Sequence, residues 1–168
     1  MSQGMNMFMT MLLQGDYTGP AVAGVSPTTH QSLQDVINMT SGSGALQCDL
    51  FVAHAISLAA SGSETLDLTA LTDPLGVAAS FARVKGIFLF PDATNVNDII
   101  IGAAGSTPFV GPFGGTAPTF AVSSNGQFGA VRPDATGWVV GANKNLKLAN
   151  SGSGTGVTGK LLLYGCAE

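Results

Sequence analysis

The feature that most constrains this chain is its punctuation. From Gly44 onward, short apolar runs are cut by Ser-Gly-Ser, Pro-Asp, Gly-Gly, Asn-Gly and Ser-Gly-Ser-Gly clusters. Such residues supply the positive φ angles and local side-chain bonds of tight turns. Breaks at roughly 8–12-residue spacing leave room for short strands and point to a sandwich or barrel. The candidate strands are Ala45–Leu58, Thr65–Leu71, Phe81–Phe90, Asp98–Gly102, Thr119–Val122, Gln127–Val131, Gly137–Gly141, Asn145–Asn150 and Lys160–Tyr164. No fixed-period repeat is present, which argues against a solenoid or propeller.

Alternation within these runs assigns faces. Leu66 and Leu68 oppose Asp67 and Thr69, and Leu146 and Leu148 oppose Asn145 and Lys147. Both strands read as half-buried. In FARVKGIFLF, Arg83 and Lys85 share a face with Ile87 and Leu89. This strand starts with one wet side and ends apolar on both, as if passing under another layer or subunit. The final GKLLLYG is apolar on both faces and reads as central. Asn125-Gly126 is a strong hairpin signal. Residues 102–118, rich in Gly and Pro, read as a long loop.

The N-terminal region differs. Met5, Met7, Met9 and Met11 fall at every second position, which predicts an extended arm with one apolar edge. Methionine also favours helix, so a short helix over residues 5–14 is the alternative. Residues 15–32 read as irregular connection, and only short helical turns fit near Gln31–Met39 or Asp73–Ala82. The expected organisation is an arm and connection over 1–32, followed by one sandwich domain over 33–168. Methionines adapt to irregular surfaces, so Met5, Met7, Phe8, Met9, Met11 and Leu12 are the candidate partner-binding residues.

Composition limits the function. Of 168 residues, 45% are hydrophobic and only 10% charged, so disorder is excluded and few charges remain to coat the surface. Either Ser, Thr, Asn and Gly dominate that surface or other subunits cover much of it. The net charge is −4, and no Lys or Arg precedes Arg83. Six scattered bases on an acidic chain make a poor nucleic-acid footprint. The N-terminus lacks the basic region of a signal peptide, and no apolar run reaches the length of a membrane span.

Chemistry is sparse. His30 lies in a polar loop and His54 in the apolar FVAHAI run, and no HExxH or GxSxG motif occurs. Gly154-Thr155-Gly156-Val157-Thr158-Gly159 spells GxGxxG, but a strand and the chain end follow it. It reads as a hairpin loop, not a dinucleotide site. Cys48 and Cys166 lack metal spacing and read as small buried hydrophobes, although pairing stays open. Asp92, Asp98 and Asp134 flank turns, where aspartate ordinarily caps amides. Trp138 reads as a layer-edge anchor. No catalytic residue, metal ligand or cofactor is expected.

From about Ala79 the chain resembles bacteriophage virion proteins of the β-sandwich, jelly-roll-like kind. The residues that carry the resemblance are Val84 to Ile87, a Pro/Gly-rich span, Gly137 to Val140, Asn145 to Asn150 and Leu161 to Gly165. They form a pattern over the second half of the chain and bring no catalytic residues with them. The resemblance implies an all-β antiparallel sandwich and a capsid decoration (cement) protein. Its partners would be the major capsid protein and copies of itself, as a dimer or trimer. Its place would be the outer surface of the virion, after assembly in the host cytoplasm. The alternative it leaves is a tail-fibre or minor tail protein contacting the host receptor.

Overall fold

The computed structural model describes residues 5–20, 26, 28–116 and 118–168. Among them there is no helix. The strands in chain order are β1 (Met7–Thr18), β2 (Thr28–Ser41), β3 (Gln47–Cys48), β4 (Leu50–Leu58), β5 (Ser63–Asp67), β6 (Leu71–Thr72) and β7 (Ala78–Ala79). There follow β8 (Arg83–Pro91), β9 (Ile99–Ala103), β10 (Thr119–Val122), β11 (Phe128–Val131), β12 (Trp138–Val139), β13 (Asn145–Asn150) and β14 (Val157–Cys166).

Two sheets make the body. One runs β4-β14-β8-β11, with β12 also on β8, and the other runs β5-β13-β9-β10. The pairings nest: β4 with β14, β5 with β13, β8 with β11 and β9 with β10, all antiparallel. Successive pairs fall on alternate sheets, as in one long ribbon rolled into two layers. This is the order of a jelly roll. Between the layers lie Val52, Ile56, Ile87, Leu89, Leu161 and Leu163 from the first sheet, and Leu66, Ile99, Ile101, Leu146 and Leu148 from the second. Alternation supplies them: Leu146 and Leu148 are fully buried, as the NLKLAN pattern requires.

Several expectations are corrected. Among the described residues the N-terminal region has no helix, so the helical alternative falls and the extended arm stands: β1 pairs with β2 along its whole length, from Met7 opposite Met39 to Thr18 opposite Thr28. The methionine alternation therefore records a strand. The ribbon takes in residues 15–18 and 28–32 of the stretch that reads as irregular connection, of which residues 21–25 and 27 lie outside the described residues, and β2 replaces the helical turn expected near Gln31–Met39. A turn and then β7, paired with β6 just before it, occupy the Asp73–Ala82 region.

Asn125-Gly126 does make a turn, with Asn125 at φ +59° and the Gly126 amide donating to the Ser123 carbonyl. The strands it joins lie in different sheets, because β9 and β8 already pair with β10 and β11. The Asn-Gly signal reports a positive φ, not which strands pair. For the same reason the 151–156 loop crosses between sheets rather than closing a hairpin.

Lys85 is the largest departure. Tyr164 stands opposite Gly86 and Gly165 opposite Val84, so Lys85 is the extra residue of a β-bulge. Its side chain, expected on a wet face, is fully buried. The ammonium donates to the carbonyls of Ser43 (3.1 Å), Gly44 and Gln47 (2.8 Å). An ammonium has three donors, and these carbonyls take all of them. The bulge re-aims one lysine to pin the connection between β2 and β3, the root of the N-terminal ribbon.

Candidate functional site

The β1–β2 ribbon has two faces, set by its register. Residues directly opposite share a face, so Met7/Met39, Met9/Ile37, Met11/Asp35, Leu13/Leu33 and Tyr17/Thr29 lie together. The other face carries Phe8/Asn38, Thr10/Val36 and Leu12/Gln34, then polar pairs toward the tip. There His30 and Asp16 meet at 2.6 Å, Thr18 and Thr28 at 3.2 Å, and Gln14 donates to Ser32 at 3.4 Å. Cross-strand bonds of this kind hold register in an otherwise unsupported ribbon.

The root of the ribbon is seated on the body. Met5, Met7 and Ile37 pack against buried Met39, Cys48 and Tyr164, a cluster that Phe51, Phe88 and Val131 pack against as well. The receiving surface is the outer face of the β4-β14-β8-β11 sheet. Along β8, Ile87 and Leu89 enter the core, so Phe88 and Phe90 must point the other way. Phe88 stacks on Tyr164 at 6.1 Å and on Phe90 at 6.4 Å between ring centroids. These three rings form an aromatic row across the sheet.

Between the ribbon root and this row lies an open groove of about 790 Å³. Phe90, Leu162, Phe128 and the ribbon residues Met7 to Leu12 line it, and among the described residues Asp35 is the only charged one on its walls. Beyond Met9 and Ile37 both strands leave the body, and all residues of 10–18 and 28–36 are exposed. Phe8 is 76% exposed, Leu13 68% and Tyr17 74%. A two-stranded ribbon is marginal alone in water, and this one leaves a row of apolar side chains uncovered by the body.

The six candidate residues therefore divide. Met5 and Met7 are half-buried against the body, and Met9 is half-buried along the groove. Met11 shares their face and is exposed at the groove wall, while Phe8 and Leu12 lie exposed on the opposite face. Sequence reasoning missed Phe88, Phe90, Leu162 and Tyr164 as a surface. Their signal was the two-sided apolarity of IFLF and LLLY.

The remaining titratable groups are used in local pairs. His54 on β4 meets Glu64 on β5 at 3.0 Å, tying the edges of the two sheets. Cys48 and Cys166 are buried free thiols. Burial, then the neighbouring Cys166, pushes Cys48 up to about 11, and burial also raises Cys166. Both stay protonated at neutral pH, which makes them poor nucleophiles. Among the described residues, no three His, Cys, Asp or Glu side chains gather as a metal ion would need.

Fold and surface together define a class: a jelly-roll sandwich carrying a projecting, apolar, two-stranded arm above an aromatic groove. Compared with protein families, curated proteins and solved structures, the chain matches none.

Proposed function

We propose that this chain is a structural protein of a bacteriophage particle, a capsid decoration protein that binds the major capsid protein and stabilises the head. The observation that carries this reading is the arm, which holds Phe8, Met11, Leu12 and Leu13 out in solvent on a ribbon anchored by a buried lysine. Side chains displayed that way serve contact, and their chemistry suits protein more than sugar or nucleic acid. Jelly rolls recur in viral coats, which supports the reading by analogy of fold alone. The low charge supports it too, since desolvating charge at a seam costs stability. Many weak contacts repeated over a symmetric shell then add up to firm attachment.

The test is co-sedimentation of the purified chain with shells assembled from major capsid protein, followed by electron cryo-microscopy of the decorated shell. The expected result is density on the outer surface at regular lattice positions and a shell that resists heating longer. Failure to sediment with any shell refutes the proposal. Recovery in a few copies at a tail tip replaces it with the tail-fibre reading.

A further inference from the structure

We infer that the groove beside the aromatic row receives the distal arm of a second copy of this chain. The inference rests on the reading above only in treating the arm as an element of contact.

The argument starts from a contact the chain already makes with itself. One face of the ribbon packs Met7 and Ile37 into the buried cluster of Met39, Cys48 and Tyr164, against which Phe88 and Phe51 of the sheet also pack. That same face continues toward the tip with Met11, Leu13 and Leu33, all exposed. The receiving sheet likewise continues past the seated residues to Phe90 and Leu162, which line the open groove. Each copy is thus left with half of a contact on its arm and the matching half on its body. Within one chain Met11 and Asp35 stand across the open groove from Phe90 and Leu162 without filling it, and Leu13 and Leu33 lie beyond it. A neighbour's arm supplies the missing half with chemistry that the chain has already shown to fit.

Charge and hydrogen bonding narrow the occupant further. Among the described residues Asp35 is the only charged one on the groove walls and on the ribbon face concerned, so nothing there selects a charged foreign partner. The polar pairs, including Asp16 with His30, lie on the other face. Among the described residues no strand lies beside the outer edge of β1, and the arm carries no Lys or Arg to discourage one. Proteins that must stay single usually guard such an edge with charge, proline or a bulge. Reciprocal docking of arm into groove closes as a symmetric dimer or a small ring.

Two measurements on the full chain test this. Sedimentation velocity from about 1 to 100 µM, where weak self-association becomes visible, should give a mass that is a multiple of 16.9 kDa. The double variant Leu13→Asp, Leu33→Asp should sediment as a monomer with the thermal unfolding of its sandwich unchanged. Next, a Leu13→Cys chain is mixed with a Phe90→Cys chain and a short thiol-to-thiol cross-linker is added. The native thiols are buried and do not compete. Cross-linked heterodimers are expected in the mixture, with little product from either chain alone.

A wild-type monomer at every concentration overturns the inference, as does an oligomer that survives the double variant. So does cross-linking of Leu13→Cys chains only to each other, which would place arm against arm. A monomer that still decorates shells defeats this inference and leaves the proposed function standing. An oligomer that ignores shells does the reverse.

Discussion

The ring of Tyr164 lies flat over Gly86, its partner across the β8–β14 ladder. A Cβ at Gly86 would come within 2.0 Å of the ring's Cε1 and Cζ. Only glycine allows that approach, and the aromatic cover in turn shields a strand position that has no side chain of its own. The relationship matters beyond the pair, because Tyr164 also supports Met39 at the arm root and begins the aromatic row with Phe88. Gly86→Ala should therefore destabilise the protein by about 1–3 kcal/mol, the cost of overpacking a filled site. In a Tyr164→Ala background the same change should cost much less. A double-mutant cycle by urea unfolding checks this, with coupling above roughly 0.5 kcal/mol expected for residues in contact.

The hydroxyl of the same tyrosine gives a prediction of opposite sign. Tyr164 Oη is buried with no hydrogen-bond partner among the described residues, and burial raises its pKa well above the ordinary phenol value. A buried unpaired hydroxyl costs about 1–3 kcal/mol. Tyr164→Phe keeps the ring over Gly86 and removes that penalty, so it should be neutral or raise stability by up to about 1–2 kcal/mol. Thermal unfolding of the isolated chain decides it, and a clear loss of stability would mean that the hydroxyl is bonded.

Lys85 was the residue least legible in the sequence. Strict alternation places it beside Arg83 on a wet face, and nothing in RVKGIFLF announces a bulge. Bulges follow from how β8 and β14 twist past one another, a tertiary matter that a single strand does not encode. The same holds for strand partners. The turn residues at Asn125-Gly126 fix a local φ, but sheet membership depends on which edges are already taken. What the sequence did show well is what depends on local pattern: the strands Thr119–Val122 and Asn145–Asn150 fall where they were expected, and Leu66, Leu68, Leu146 and Leu148 are buried. Two-sided apolarity in IFLF and LLLY signalled a covered outer face. It did not say that the chain's own arm covers only part of it.

Replacing Lys85 tests its role as a pin. Lys85→Met keeps most of the aliphatic stem and removes three donors, leaving the carbonyls of Ser43, Gly44 and Gln47 short of partners. The expected loss is on the order of 3 kcal/mol. Its local signature should be faster amide exchange over residues 41–48, measured by hydrogen–deuterium exchange, with the β13 core unchanged. Uniform acceleration across the protein would instead mean that Lys85 serves global packing only.

Phe109 gives the long Gly/Pro-rich loop its fixed point. It is fully buried, its amide donates to the Asn145 carbonyl at 2.8 Å, and the Asn145 side chain donates back to Ser106 and Thr107. Phe109→Ala should cost roughly 3–5 kcal/mol. It should also open the loop to limited proteolysis between residues 104 and 116 before the sandwich itself unfolds. If cleavage there is no faster, the backbone bonds to Asn145 hold the loop without the ring.

Acid stability should report on Asp67. Its carboxylate meets the Lys144 ammonium at 2.6 Å and accepts from the Thr69 hydroxyl and amide at 2.6 and 2.9 Å. The Lys144 bond, then the Thr69 bonds, hold its pKa down to about 2. An unfolded aspartate titrates near about 3.9. A depressed folded pKa means that the unfolded chain takes up the proton first as pH falls. The stabilisation is therefore complete above roughly pH 4 to 5 and disappears as pH drops through about 2. The group is a third exposed, so solvent screening keeps the effect small. Asp67→Asn should lower the melting temperature slightly at pH 7 and flatten its decline between pH 4 and 2. The two curves should converge near pH 2, where the wild-type carboxyl is also losing its charge. Asp134, held low by Arg132 in the same way, keeps part of the acid slope in the variant. Melting curves that stay parallel down to pH 2 would show that the Lys144 bond contributes nothing in solution.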